Sequence, residues 1–209
     1  MIDLLFSNPL AFFVLFPGLL LSIALHEFAH AWMADRLGDP TPRYQGRVTL
    51  NPLAHLDPLG TMAMLFTRFG WGKPVEFDPY NLKNPPRDTA IIALAGPALN
   101  LLIAASISLA LHFITIPSLW LIVALIQIMQ INVVLAIFNL VPVYPLDGSK
   151  ILFALLPKRT AFEYDEFMRH YGMFVLLLLL FPWGNQASPV SLLISPVIDM
   201  VMNILLGGF

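Results

Sequence analysis

No cysteine occurs in the chain. Disulfides and thiolate metal ligands are therefore both excluded, and any metal site must draw on His, Asp or Glu. Charge is scarce as well. Only 11% of the 209 residues are Asp, Glu, Lys or Arg, against about 25% in soluble domains. The net charge of -2 speaks against a nucleic-acid partner. Basic residues are missing from whole regions: none precedes Arg36, none lies in 114–118 or 184–188, and none follows Arg169. The start, Met1 to Phe6, has no basic n-region. The first apolar segment also carries a polar cluster, so it is expected to be retained rather than removed as a signal peptide.

What the chain has instead is apolar length. It is 58% hydrophobic with a mean hydropathy of +0.77. That composition predicts an integral membrane protein, one bundle of about five or six spans at about 20 residues each. Five apolar segments are read at about 9–37, 88–113, 118–141, 171–183 and 189–206. The fourth is short for a span, which a start nearer Phe162 or a small tilt would accommodate. The fifth holds Asp199 and Asn203, four apart, which gives it one polar face.

The 11 basic residues fall in two places. Arg36, Arg43, Arg47, Arg68, Lys73, Lys83 and Arg87 lie between the first and second segments, and Lys150, Lys158, Arg159 and Arg169 between the third and fourth. The positive-inside rule then places 36–87 and 150–169 in the cytoplasm of a multi-pass cell-membrane protein, with the N-terminus outside. Five crossings agree with that parity. The 38–87 stretch is broken by Gly38, Pro40, Pro42, Gly46, Pro52, Pro58, Gly60, Gly70, Gly72, Pro74 and Pro79, which excludes one long helix. Between the breaks, Arg43–Leu50, Thr61–Thr67 and Lys73–Phe77 read as short strands. The expected fold is thus all-α and polytopic, with about five transmembrane helices and a small membrane-associated β-sheet in the 43–77 loop. The whole chain, 1–209, is expected to be one domain, with a core at about 9–155 and C-terminal helices at about 162–209.

Against this background His26-Glu27-Phe28-Ala29-His30 stands out. It follows an uncharged run from Leu10 to Leu25, and the apolar pattern resumes at Ala31. Ionisable groups at bilayer depth cost roughly 2.5–3.5 kcal/mol each, so they mark a functional site by default. Residues i and i+4 share a helix face, which lets both imidazoles reach one metal ion. Glu27 beside them is placed to act as a base on a metal-bound water. On a soluble surface helix the same five residues would often be chance. Within an apolar span the remaining bland reading is a polar cluster that only holds helices together.

A catalytic zinc keeps three protein ligands and an open position. Met33 and Arg36 stand where the metzincin extension needs Gly and His, so that class is out. His55 and Asp57 sit in a Pro-flanked loop, where His55 reads best as a loop cap. His112 lies near the outer end of its segment, and Asp199 is alone in the fifth. The best candidate is Asp147, in Asn139-Leu-Val-Pro-Val-Tyr-Pro-Leu-Asp-Gly148. Pro142 and Pro145 end the helix there, and Gly148 permits an unusual turn. From local sequence alone an ordinary Asp-Gly turn at a membrane boundary accounts for it equally well. Both halves of the proposed site fall towards the cytoplasmic side.

His26-Glu27-x-x-His30, Ala95-Gly96-Pro97-x-x-Asn100 and Asn139-x-x-Pro142-x-x-Pro145-Leu146-Asp147-Gly148 together resemble the site-2 protease family of intramembrane zinc metalloproteases. Gly46 to Pro58 also resembles the loop of its compact prokaryotic branch. The likeness spans about residues 20–155 in the family's order. It implies a three-helix core with one Zn2+ per chain on His26, His30 and Asp147, Glu27 as general base, and transmembrane protein or peptide substrates within the lipid bilayer. The chain departs from larger members by having no insertion long enough for a PDZ domain and no CBS pair after the core.

Asn139 is a candidate oxyanion donor, whereas Asn100 and Asn132 read as interhelical hydrogen bonds. The expected activity is hydrolysis of peptide bonds within or near transmembrane segments. The alternatives are a membrane metal-binding or transport protein, and a silent relative that only binds transmembrane helices.

Overall fold

The computed structural model describes residues 1–67, 70–182 and 187–207. In chain order its helices are α1 (Ile2–Ser7), α2 (Pro9–Leu37), α3 (Thr41–Tyr44), α4 (Pro58–Thr67), α5 (Pro85–Phe113), α6 (Leu119–Asn139), α7 (Asp147–Leu155), α8 (Lys158–Leu180) and α9 (Pro189–Leu206). Four of them, α2, α5, α6 and α9, are long and apolar enough to cross a membrane. A fifth crossing would have to use α8, whose first half carries Lys158, Arg159, Glu163, Asp165, Glu166 and Arg169. Its apolar part, Tyr171 to Leu180, matches the expected fourth segment. Trp183, the last residue of that segment, lies outside the described residues, as does Arg68.

The helix ends follow local chemistry. Asn8 caps α2 by accepting the Ala11 N–H at 3.1 Å, with Pro9 at the first helical position. Gly38 ends it in a left-handed conformation, φ +110°. Asp88 accepts the Asn84 N–H at 2.8 Å and fixes the start of α5. At the far end of α6, Pro142 and Pro145 hold residues 140–146 out of helix, and α7 begins at Asp147. Gly148 is required there. A Cβ on it would run into the Leu140 and Val141 carbonyl oxygens.

Helix α5 is the centre of the bundle and packs on α2, α6 and α7. The buried Ala31, Ala34, Ala93, Ala104 and Ala136 let these helices approach closely. Helix α9 covers α6 around Met129 and Val133. The large apolar side chains turned outward along the long helices, such as Phe13, Leu102, Leu109, Leu121 and Val123, suit lipid contact.

The expected β-sheet is absent among the described residues. Thr61–Thr67 lies within α4, Arg43 and Tyr44 belong to α3, and 45–50 is turn and bend with Gly46 at φ +68°. Lys73–Phe77 is extended but forms no ladder, and among the described residues one antiparallel bridge, Leu56 to Gly72, is the only pairing. The reason for α4 is local. Asp57 accepts the Gly60 N–H at 2.7 Å and Pro58 opens the helix, while Met62, Ala63, Met64 and Leu65 are good helix formers. Leu59, Met62 and Phe66 of α4 face outward, so this apolar helix presents its side chains to the surroundings of the bundle.

The loop is nonetheless pinned. Buried Asp39 accepts hydrogen bonds from the Thr41 N–H and hydroxyl, from the Asp78 N–H at 2.7 Å and from the Asn81 amide at 2.8 Å. Lys73 is held at both backbone groups. Its N–H donates to the His55 carbonyl at 2.8 Å, and its own carbonyl accepts from the buried Arg47 guanidinium. Gly72 lies so close to α2 that a Cβ there would meet Ile23 at 2.7 Å and Glu27 Cγ at 3.3 Å.

Candidate metal centre

Helix periodicity puts His26, Glu27 and His30 on the inner face of α2, where His26 and His30 are buried. Their rings meet edge to face with centroids 4.6 Å apart. Asp147 comes from the first turn of α7. Its Oδ2 lies 3.1 Å from His26 Nε2 and 3.2 Å from His30 Nε2. The three ligand atoms fall within 4.8 Å of one another, so residues 121 positions apart in sequence converge on one point.

The other ring nitrogens decide what that point can hold. His30 Nδ1–H donates to the Ile92 carbonyl at 2.7 Å. His26 Nδ1–H donates to Asn100 Oδ1 at 2.6 Å. Each Nδ1 being a donor, each neutral imidazole presents a lone pair at Nε2. Two nitrogen lone pairs and a carboxylate oxygen then face one another inside a low-dielectric bundle, a donor set that fits a divalent cation. Gly96 of α5 completes the cradle. A Cβ there would stand 2.6 Å from both Nε2 atoms. Asn100 is itself held by donating to Asn132 Oδ1 at 2.8 Å, and Asn132 donates to Ser22 Oγ at 3.0 Å. The two asparagines do join helices, as expected. Asn100 has the further task of orienting His26, which the sequence reading missed. Asn100→Ala is expected to weaken zinc binding about 10–100-fold. Chelator competition on the purified protein measures this, and an unchanged affinity would mean the hydrogen bond has no hold on the ring.

A cavity of about 110 Å³ opens beside the cluster. Glu27, Asn139, Lys150 and Phe77 line it together with the three candidate ligands. Asn139 uses one amide hydrogen on the Leu135 carbonyl at 2.9 Å, which leaves its second N–H. His55 does not line this cavity. It is buried in the loop, its Nε2–H donates to the Thr49 carbonyl at 2.8 Å, and burial pushes its pKa below the ordinary value. His112 is far along α5, where its Nδ1–H donates to the Ser108 carbonyl at 2.8 Å. Asp199 is exposed on α9, away from the cluster.

The comparisons with known proteins agree with this chemistry. The profile of Peptidase family M50 matches residues 110–181, the part that carries Asn139 to Gly148. The chain is 36% identical over 179 residues to the protein named "Putative zinc metalloprotease YwhC" of Bacillus subtilis, covering 77% of each. It is 30% identical over 191 residues to "Putative zinc metalloprotease Rip2" of Mycobacterium tuberculosis, covering 85% of this chain and 72% of the relative. It is 27% identical over 158 residues to "Zinc metalloprotease MJ0392" of Methanocaldococcus jannaschii, covering 73% of this chain and 37% of that one. No solved structure gives a significant match. Fold and comparisons together define a multi-pass membrane metalloprotease with zinc as its cofactor. The chain belongs to Peptidase family M50, the site-2 proteases.

Proposed function

We propose that this protease hydrolyses peptide bonds within or near transmembrane segments of other membrane proteins, with Glu27 as its general base. The observation that carries the reading is the convergence of His26 Nε2, His30 Nε2 and Asp147 Oδ2 beside a small cavity that Glu27 also lines. His26, His30 and Asp147 would hold the zinc. When bound, zinc lowers the pKa of a coordinated water towards about 7 and polarises the scissile carbonyl. Glu27 accepts a proton from the attacking water and delivers it to the leaving amine. Asn139 lines the same cavity, and its second N–H is the donor assigned to the developing oxyanion. Lys73–Phe77, extended and lining the cavity at Pro74, Val75 and Phe77, is where an unwound substrate segment would lie along the protein. The whole chain works as one catalytic domain in this reading.

The test is a single-span substrate and the purified protein in liposomes, with and without a strong chelator. Cleavage that the chelator leaves untouched would refute a zinc mechanism. Metal analysis is expected to give one zinc per chain, lost in His26→Ala, His30→Ala and Asp147→Ala. Full zinc in Asp147→Ala would remove Asp147 from the ligand set.

The basic loops 36–87 and 150–169 are assigned to the cytoplasm on charge. The cysteine-free chain makes this easy to check. Tyr80 is 96% exposed, so a Tyr80→Cys variant is expected to react with an impermeant thiol reagent from the cytoplasmic side alone. Labelling from the outer side alone would invert the topology.

A further inference from the structure

Lys150 is a cation with no assigned task in the catalytic reading. It lies on α7 three residues after Asp147, one helical turn away and on the same face. It lines the metal cavity, and it is the one Lys or Arg among the described residues that does. Two carboxylates, Glu27 and Asp147, line the same cavity. Yet among the described residues Lys150 forms no ion pair with either of them. Its recorded contact is across the cavity, where Nζ stands 5.5 Å from the centroid of the Phe77 ring. Helix α7 and the extended 73–77 wall are thus bridged by an ammonium group over an aromatic face, a geometry that leaves the donor hydrogens of the ammonium available.

Hydrolysis creates an anion in this place. The C–N bond of the peptide breaks and a C–O bond to the water oxygen forms. One water proton goes through Glu27 to the leaving amine. The carbonyl-side fragment is left with a new α-carboxylate, which is ionised at neutral pH. That carboxylate forms in a cavity that Glu27 and Asp147, two groups of its own sign, also line. Besides the zinc, the complementary charge on the cavity wall is the Lys150 ammonium, which has no ion pair there among the described residues.

We propose that Lys150 binds the α-carboxylate of the carbonyl-side product, and so fixes that fragment against α7 and Phe77. The proposal rests on the protease reading above. It also sets the direction of the substrate in the site, with the amine-side fragment leaving away from α7.

The probe is a short apolar peptide carrying a fluorescent label at its N-terminus, made once as the free acid and once as the C-terminal amide. Binding of each to the zinc-loaded protein is followed by anisotropy. Wild type is expected to bind the acid at least about tenfold tighter than the amide. In Lys150→Met that ratio is expected to fall about tenfold with zinc content unchanged, and Lys150→Arg is expected to restore most of it. Zinc content reports that the site has folded in each variant. An acid-to-amide ratio in Lys150→Met equal to that of wild type would assign the carboxylate to the metal alone and overturn the proposal. So would a wild type that does not distinguish the two peptides. Cleavage of a single-span substrate by wild type is scored in parallel. Its absence would count against the protease reading, whereas the peptide ratio speaks to Lys150 alone.

Discussion

Glu27→Gln is expected to keep the fold and the full zinc content and to lower cleavage roughly 10²–10⁴-fold. The substitution preserves the side-chain shape and removes the carboxylate proposed as the base. Glu27 is not among the three converging ligand atoms, so the cation site is left as it was. Its packing against Gly72 is by the Cγ methylene, which glutamine retains. The measurement is product formation from a transmembrane substrate in liposomes, wild type against variant at matched zinc. Undiminished cleavage would exclude Glu27 as the proton acceptor. A membrane metal carrier behaves differently, since its transport persists in the same variant. A protein that only captures helices gives no product even as wild type.

Gly96→Ala is expected to be nearly as damaging, through the metal instead of the proton. The added methyl would stand 2.6 Å from His26 Nε2 and His30 Nε2 and 2.7 Å from His26 Cε1. The rings have little freedom to retreat. Their Nδ1 atoms are tied to Asn100 and to the Ile92 carbonyl, both on the same helix as Gly96. Either α2 and α5 part or the imidazoles turn off their common point. Zinc affinity is expected to drop about 100-fold, and stability by about 1–3 kcal/mol from overpacking. Gly18→Ala is the control, because its methyl would meet only the flexible Ile128 side chain, at 3.3 Å. Equal zinc affinity in Gly96→Ala and wild type would show that the cradle is looser than its geometry implies.

Much of the molecule can be read from its residues. The limits of α2 are written in Asn8-Pro9 and Gly38, and the four-residue spacing of its histidines carries their convergence. Pro142 and Pro145 announce the break that turns Asp147 inward. The loop is where reading failed. Thr61–Thr67 reads as a strand on its alternation, yet Asp57-Pro58 just before it is a helix-start signal, and the segment is helix. The loop glycines looked like chain breakers. Several are instead points of contact, since a Cβ on Gly60 would strike the Trp71 carbonyl and one on Gly72 would strike Ile23. No local pattern encodes such contacts. Nor does any local pattern link Asn100 to His26, 74 residues earlier, or Lys150 to the ring of Phe77.

The burial of the three ligands has a consequence for speed. His26, His30 and Asp147 are each less than a tenth exposed, and a helix with its hydrogen bonds intact keeps its peptide groups inside its own backbone ladder. Under the proposed activity a transmembrane target is therefore expected to lose those hydrogen bonds over a few residues before it is cut, a costly event in lipid, where a freed backbone group finds no water. Turnover is then expected to follow how often the target frays, and a Gly or Pro in it to raise the rate.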